Sequence, residues 1–240
     1  MPTGPWLRGP HGRPSAAGLG VLLDDVLGQA VLISRQPGLW SVTTELNVDV
    51  VAPLPADGQP VQAMAEPVLL DGAGGLSRAE VRDAAGRCLA VGTTWARFVA
   101  GIPAEVLDPP QLPDDIVRGQ CLTDLLQVDI GGTGHLDLPA RADLGNPQGV
   151  VHGGVLLCLA VMSAERLLGE GLQVASVRMA YLRPALGDVT FEPVIVHRGR
   201  SLGLTRVDVT NATGTLCATA TVTARSAAGR GAGPDRLTAD

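Results

Sequence analysis

The chain has 240 residues, 45% of them hydrophobic and 18% charged, which is enough apolar material for a buried core and excludes a disordered polymer. Aromatics make up only 2%, so the stacking platforms of single-strand binders are missing. A net charge of -6 without a basic cluster excludes duplex nucleic acid and an anionic membrane as partners.

In chain order, residues 1–14 read as a loose N-terminus without the apolar region of a signal peptide. "LGVLLDDVLGQAVLI" from Leu19 is apolar at helical spacing and free of proline. "TTELNVDVVAP" (Thr43–Pro53) reads as a strand ended by proline. "AEVRDAAGRCLAVGTT" (Ala79–Thr94) reads as strand, Asx-Gly turn and strand. Four prolines between 101 and 115 mark an exposed linker and hence a domain boundary. "LLQVDIGGTGHLDLPARAD" suits a strand or hairpin. It is followed by the turn-forming "NPQGVVHGG" and a second apolar helix, "GVLLCLAVMSAERLL". That helix is too short and too interrupted for a membrane span. Cys88, Cys121, Cys158 and Cys217 form no CxxC pair and have no metal spacing to histidine. A soluble, reducing, cytoplasmic setting without a metal or disulfide is expected. The tail from 226 to 240 is Gly/Ala-rich and expected to be disordered.

The two halves repeat. Ala79–Thr94 aligns without a gap on Val207–Val222, with Val81/Val209, Ala84/Ala212, Gly86/Gly214, Ala90/Ala218 and Thr93/Thr221 coinciding. Upstream, Thr43–Pro53 aligns on Val174–Pro184, and a helix precedes each block. Helix followed by antiparallel strands, twice, is an α+β chain of two domains, at 15–100 and 116–225. The first half has only fourteen residues before Ser15 and is expected to lack both the first strand and the loop into its helix.

"N..G.VHGG", the apolar helix, "YLRP", "V.HRGRSL" and the "DVTNATGTLCATAT" hairpin together resemble the PaaI-like hotdog thioesterases. The resemblance covers nearly all of the second half and, more weakly, the first from about Ala17. It implies a double hotdog, two sheets each around a long helix, in one chain that imitates the usual homodimer. It also implies hydrolysis of small or medium acyl-CoA thioesters, with coenzyme A as part of the substrate and no separate cofactor. Further pairing of such chains into a homodimer is compatible with it.

By that resemblance the Gly153 N–H is the oxyanion donor, Gly154 permits tight entry, Asn146 holds water or substrate, and His152 fixes the loop. Glycine lets substrate approach the backbone, and a helix N-terminus favours developing negative charge. The family's helix carboxylate stands nine residues after the histidine, where this chain has Val161. Glu165, one turn on beside Arg166, reads as half of a solvated ion pair. The first half has the converse defect: "LLDDVLGQA" matches the family's acidic helix at Asp24, with Asp25 as the alternative, while Ser15-Ala16-Ala17 stands where HGG would be. In such enzymes the HGG loop of one subunit faces the acid of the other. The expectation is therefore one composite site, Asp24 with Asn146, His152 and Gly153, and a dead twin at Val161. Thr43, or its neighbour Thr44, matches the family's hydroxyl beside the acid. Arg183, Arg198 and Arg200 are candidates for the phosphates of coenzyme A. A non-catalytic acyl-CoA-binding protein is the rival reading, a hotdog dehydratase a distant third, and the sequence does not separate CoA from acyl-carrier-protein thioesters.

Overall fold

The computed structural model describes residues 1–103 and 121–226; the expected linker past 103 and the tail past 226 lie outside them. Helix α1 (Gly20–Leu32) is followed by β1 (Leu39–Val50), β2 (Val61–Leu70), β3 (Gly74–Asp83) and β4 (Cys88–Ala100). A short α2 (Leu122–Leu126) and β5 (Leu136–Leu138) come next. Then α3 (Gly153–Leu168) leads β6 (Leu172–Tyr181), β7 (Val189–Arg198), β8 (Leu202–Asn211) and β9 (Leu216–Ser226). The strands form one antiparallel sheet in the order β2-β3-β4-β1-β6-β9-β8-β7-β5. The order is mirrored about the β1–β6 pair, where Asn47 lies opposite Arg178 and the Arg178 guanidinium holds both oxygens of Asp49 at 2.7 and 2.9 Å.

The irregularities repeat along with the elements. A bulge between Thr43 and Glu45 in β1 has its counterpart between Val174 and Ser176 in β6. The slips at Pro67/Leu69 and Val81/Arg82 recur at Ile195/His197 and Val209/Thr210. Both hairpin turns place glycine at positive φ, Gly86 at 80° and Gly214 at 75°, as the Asx-Gly sequences require.

α1 turns Leu23, Leu27 and Val31, spaced by four, into the core. α3 is buried almost all round, with Leu157, Leu159, Ala160, Val161 and Met162 inaccessible, so it is the central helix of the molecule. The two helices meet backbone to backbone. A Cβ on Gly20 would lie 2.3 Å from the Gly154 carbonyl oxygen, and one on Gly154 would lie 2.5 Å from Cα of Val21. Glycine at both positions therefore sets how closely the helices approach.

The N-terminus departs from expectation. Residues 1–14 are ordered: Leu7 is fully buried, and Met1 exchanges backbone hydrogen bonds with Val61. They also supply a loop into α1, contrary to the expectation that the first half lacks one. The 3-10 turn Pro5–Leu7 matches the turn Ala142–Leu144, and the bridge Arg8–Pro14 matches Gly145–Val151. Ser15 N–H donates to Leu7 O as His152 N–H donates to Leu144 O, both at 2.9 Å. Gly9 N–H reaches Arg13 O as Asn146 N–H reaches Val150 O, at 2.9 and 2.8 Å. The loop keeps the backbone pattern of "NPQGVVH" while sharing only Pro10/Pro147 and Gly12/Gly149 with it, which hides it in the sequence.

Candidate active site

The start of α3 and the middle of α1 meet around one carboxylate. Asp24 is 8% exposed, although it is charged and lies on a helix otherwise packed with leucine. Its Oδ2 accepts the Gly154 N–H at 2.7 Å, and its Oδ1 accepts the Thr43 hydroxyl at 3.0 Å. His152 caps α3 with Nδ1, which accepts the Gly154 N–H at 3.0 Å and lies 3.3 Å from Asp24 Oδ2. Its Nε2 faces Asp25 Oδ1 at 3.2 Å. Asp25 is the exposed member of the pair, and its contact is with the histidine and not with the buried Thr43 and Gly154 groups.

In the first turn of α3, Gly154 N–H is taken by Asp24 and Val155 N–H by His152 O. The Gly153 N–H has no acceptor among the described residues. It is an open donor at a helix N-terminus, beside a carboxylate. A Cβ at Gly153 would sit 2.7 Å from Asp24 Oδ2 and 3.4 Å from the Tyr181 ring, so only glycine leaves that carboxylate in place.

Burial is the main influence on Asp24 and raises its carboxyl above 3.8; His152, Thr43 and Gly154 oppose the shift. His152 is lowered by burial, but Asp25 and Asp24 outweigh this and leave it above 6.5. A buried, hydrogen-bonded carboxylate with a raised pKa, an imidazole and a free backbone N–H can take up a proton and stabilise an oxyanion nearby.

The other expected residues are placed differently. Asn146 uses its side-chain oxygen on the N–H groups of Gln148 and Val150, and its amide nitrogen lies 3.3 Å from Gln148 Oε1, so it fastens its own loop. Thr44, at the bulge, donates to Trp95 O and turns away from Asp24. Arg183 binds Leu216 O on the surface. Arg198 packs by Gly169, just past the C-terminal end of α3, and Arg200 follows in the β7–β8 turn. Sixteen helical residues span about 24 Å, so these two arginines do not flank the Gly153 end.

Two contacts went unassigned in the sequence. Tyr181, the tyrosine of "YLRP", donates its hydroxyl to Gly153 O at 2.8 Å, and burial first, then Asp24, keeps it well above 10. Tyr181→Phe should cost about 1 kcal/mol and slow any reaction at this loop by up to about tenfold, as read by melting temperature and steady-state rate. Glu165 is not a solvated partner of Arg166. Both of its carboxylate oxygens accept from Ser15 Oγ, at 2.9 and 2.8 Å, and His11 Nε2 meets its backbone oxygen at 2.9 Å. Burial lifts it from 4.5 to about 7. A carboxyl whose folded pKa is raised adds stability that is complete below its unfolded value and lost as pH rises through the folded one. Glu165→Gln should therefore gain on the native protein between about pH 5 and 8, by roughly 2–3 kcal/mol, as measured by denaturant midpoints across that range.

Residues 142–225 match the family model described as the acyl-CoA thioesterase N-terminal domain. The second half of the chain is thus similar to a thioesterase domain. No curated protein matches it in sequence. Among solved structures, a protein of unknown function with a hot dog fold from Alicyclobacillus acidocaldarius superposes with TM-score 0.58 at 13% identity, covering 89% of this chain and 87% of its own. An acyl-ACP thioesterase from Bacteroides thetaiotaomicron does so with TM-score 0.64 at 12% identity, over 94% and 96% of the two chains. A 12:0-ACP thioesterase from Umbellularia californica gives 0.62 at 16%, over 89% and 88%. At such identities the likeness is one of fold, and this chain has the hotdog fold. No helix among its described residues is long and apolar enough to cross a membrane.

Proposed function

We propose that the protein is a single-chain pseudo-dimer of two hotdog units that hydrolyses small or medium acyl-CoA thioesters at a composite site. The observation that carries this reading is the hydrogen bond from Gly154 N–H, at the start of α3, to Asp24 Oδ2 on α1, across 130 residues of sequence. In this reaction the thioester carbonyl oxygen is held by the Gly153 N–H. Asp24 removes a proton from the attacking water, and the water oxygen bonds to the carbonyl carbon. Collapse of the tetrahedral species breaks the C–S bond, and the thiolate takes the proton back. Thr43 and Gly154 hold one carboxylate oxygen each, which suits Asp24 to this base role because it cannot swing away. His152 and Asp25 brace the loop from the solvent side.

The test is thiol release from acyl-CoAs of graded chain length by the intact protein. Turnover that is fastest on small or medium chains is expected. Tight binding of the whole series without thiol release would point to the non-catalytic acyl-CoA-binding reading instead.

A further inference from the structure

The repeat that sets Ser15 opposite His152 builds a second cleft at the start of α1. A cavity of about 170 Å³ opens there, lined by Gly9, Ala16, Leu54, Glu165, Leu172 and Val174 among others. Ser15 Oγ accepts the Ala17 N–H at 3.1 Å, as His152 Nδ1 accepts the Gly154 N–H. Gly18 N–H bonds Ser15 O as Val155 N–H bonds His152 O. The Ala16 N–H, in the place of Gly153 N–H, likewise has no acceptor among the described residues.

The residue in the place of Asp24 is Val161, which carries no acid. Glu165, one turn further along α3, brings its carboxylate back to the loop instead and is held there by Ser15. Gly9 occupies the place of Asn146, and a Cβ on it would lie 2.7 Å from Glu165 Oε2. The carboxylate thus fills the volume that the asparagine side chain takes in the other cleft. A hydroxyl on the carboxylate and an open helix-terminal N–H reproduce, from different residues, what stands around Asp24, and here a cavity opens beside them.

We infer that this cleft is a second hydrolytic centre for short acyl thioesters, with Glu165 as its base. Ser15 orients that carboxylate, and the Ala16 N–H receives the carbonyl oxygen. The inference rests on the thioesterase reading of the Asp24 site for its substrate class. Glu165 takes a proton from water, the water oxygen bonds to the carbonyl carbon, and the carbonyl electron pair moves to oxygen beside the Ala16 N–H. Its return breaks the C–S bond; the thiolate leaves with the proton from Glu165, and the carboxylic acid is released. Leu54, Leu172 and Val174 give the acyl chain an apolar wall. At about 170 Å³ the cavity is smaller than the roughly 300 Å³ at which drug-sized pockets begin, so it selects short chains. A base that titrates near 7 is well matched to neutral pH, and burial puts Glu165 there.

The experiment is thiol release from acetyl-, butyryl- and hexanoyl-CoA by the full chain and by Asp24→Asn, Glu165→Gln and the double variant, each checked by thermal melt. A residual rate in Asp24→Asn at least tenfold above that of the double variant is expected. Val174→Phe, which adds bulk to the cavity wall and leaves the Glu165 carboxylate itself unchanged, should remove the same residual rate when added to Asp24→Asn. Equal rates in Asp24→Asn and the double variant would overturn the inference and leave the Asp24 site standing. If Asp24→Asn keeps the native rate while Glu165→Gln abolishes it, the second centre stands and the Asp24 reading falls.

Discussion

Asp24→Asn should lose about 10²- to 10⁴-fold of the turnover supported by its site, the usual worth of a positioned general base, which is about 3–5 kcal/mol of barrier. It should do so without harming the fold. Asparagine keeps an oxygen for the Gly154 N–H and a polar group for Thr43, and it removes a charge from an 8% exposed position. Burial has raised the Asp24 pKa, so its stabilising contribution is complete below 3.8 and lost as pH rises through the folded value. At neutral pH the native carboxylate costs stability, and the variant should melt higher while it turns over more slowly. The rate of the native enzyme should climb with pH as Asp24 ionises, and this climb should vanish in the variant. Asp25→Asn is the contrasting case: its exposed contact with His152 predicts a change of less than about tenfold in rate. Rates and melting curves of the two variants side by side check all of this.

Gly154→Ala should be severely damaging for a single methyl group. The new Cβ would meet Val21 Cα at 2.5 Å and Gly20 O at 2.6 Å, and neither backbone atom can move without displacing α1. Overpacking against side chains costs about 1–3 kcal/mol, and packing against a helix backbone should reach the upper end or exceed it. For a chain of 240 residues, that corresponds to a fall of about 6–12 °C in melting temperature. Activity should fall further than stability, because the helix separation fixes Asp24 against the Gly153 N–H, and a misplacement of about 1 Å costs roughly 100-fold. Gly171→Ala, where a Cβ meets nothing within 4 Å, should stay within about 0.5 kcal/mol of native in the same melts.

The sequence made much of this legible because the decisive residues sit in elements with strong local signatures. The apolar helices, the Asx-Gly hairpins and the proline-ended strands declare themselves through periodicity and turn chemistry. Thr43 and Asp24 were named through the family resemblance, which the spacing within those elements let be laid onto this chain. The misreadings were of residues whose partners lie far away in sequence. Glu165 beside Arg166 looks like a surface pair until Ser15, 150 residues earlier, is brought against it. Tyr181 carries no clue that its hydroxyl meets the carbonyl of Gly153. Arg198 and Arg200 are candidates by charge alone, and charge says nothing about which end of a 16-residue helix they flank. The loop before α1 was hidden for another reason. Its geometry is held by backbone bonds and glycine at Gly12, with φ of 70° against 71° at Gly149, so its side chains were free to change.

The pairing of β1 with β6 joins the two halves inside one covalent chain. In an assembly of identical subunits, every substitution is written twice, once at each copy of the site, so neither copy can be altered alone. Here a change at Asp24 has no echo at Val161, and a change at Gly9 has none at Asn146. Each cleft can therefore be retuned independently by mutation, in acid strength, in volume or in loop chemistry, while the other is held as an internal reference within the same molecule.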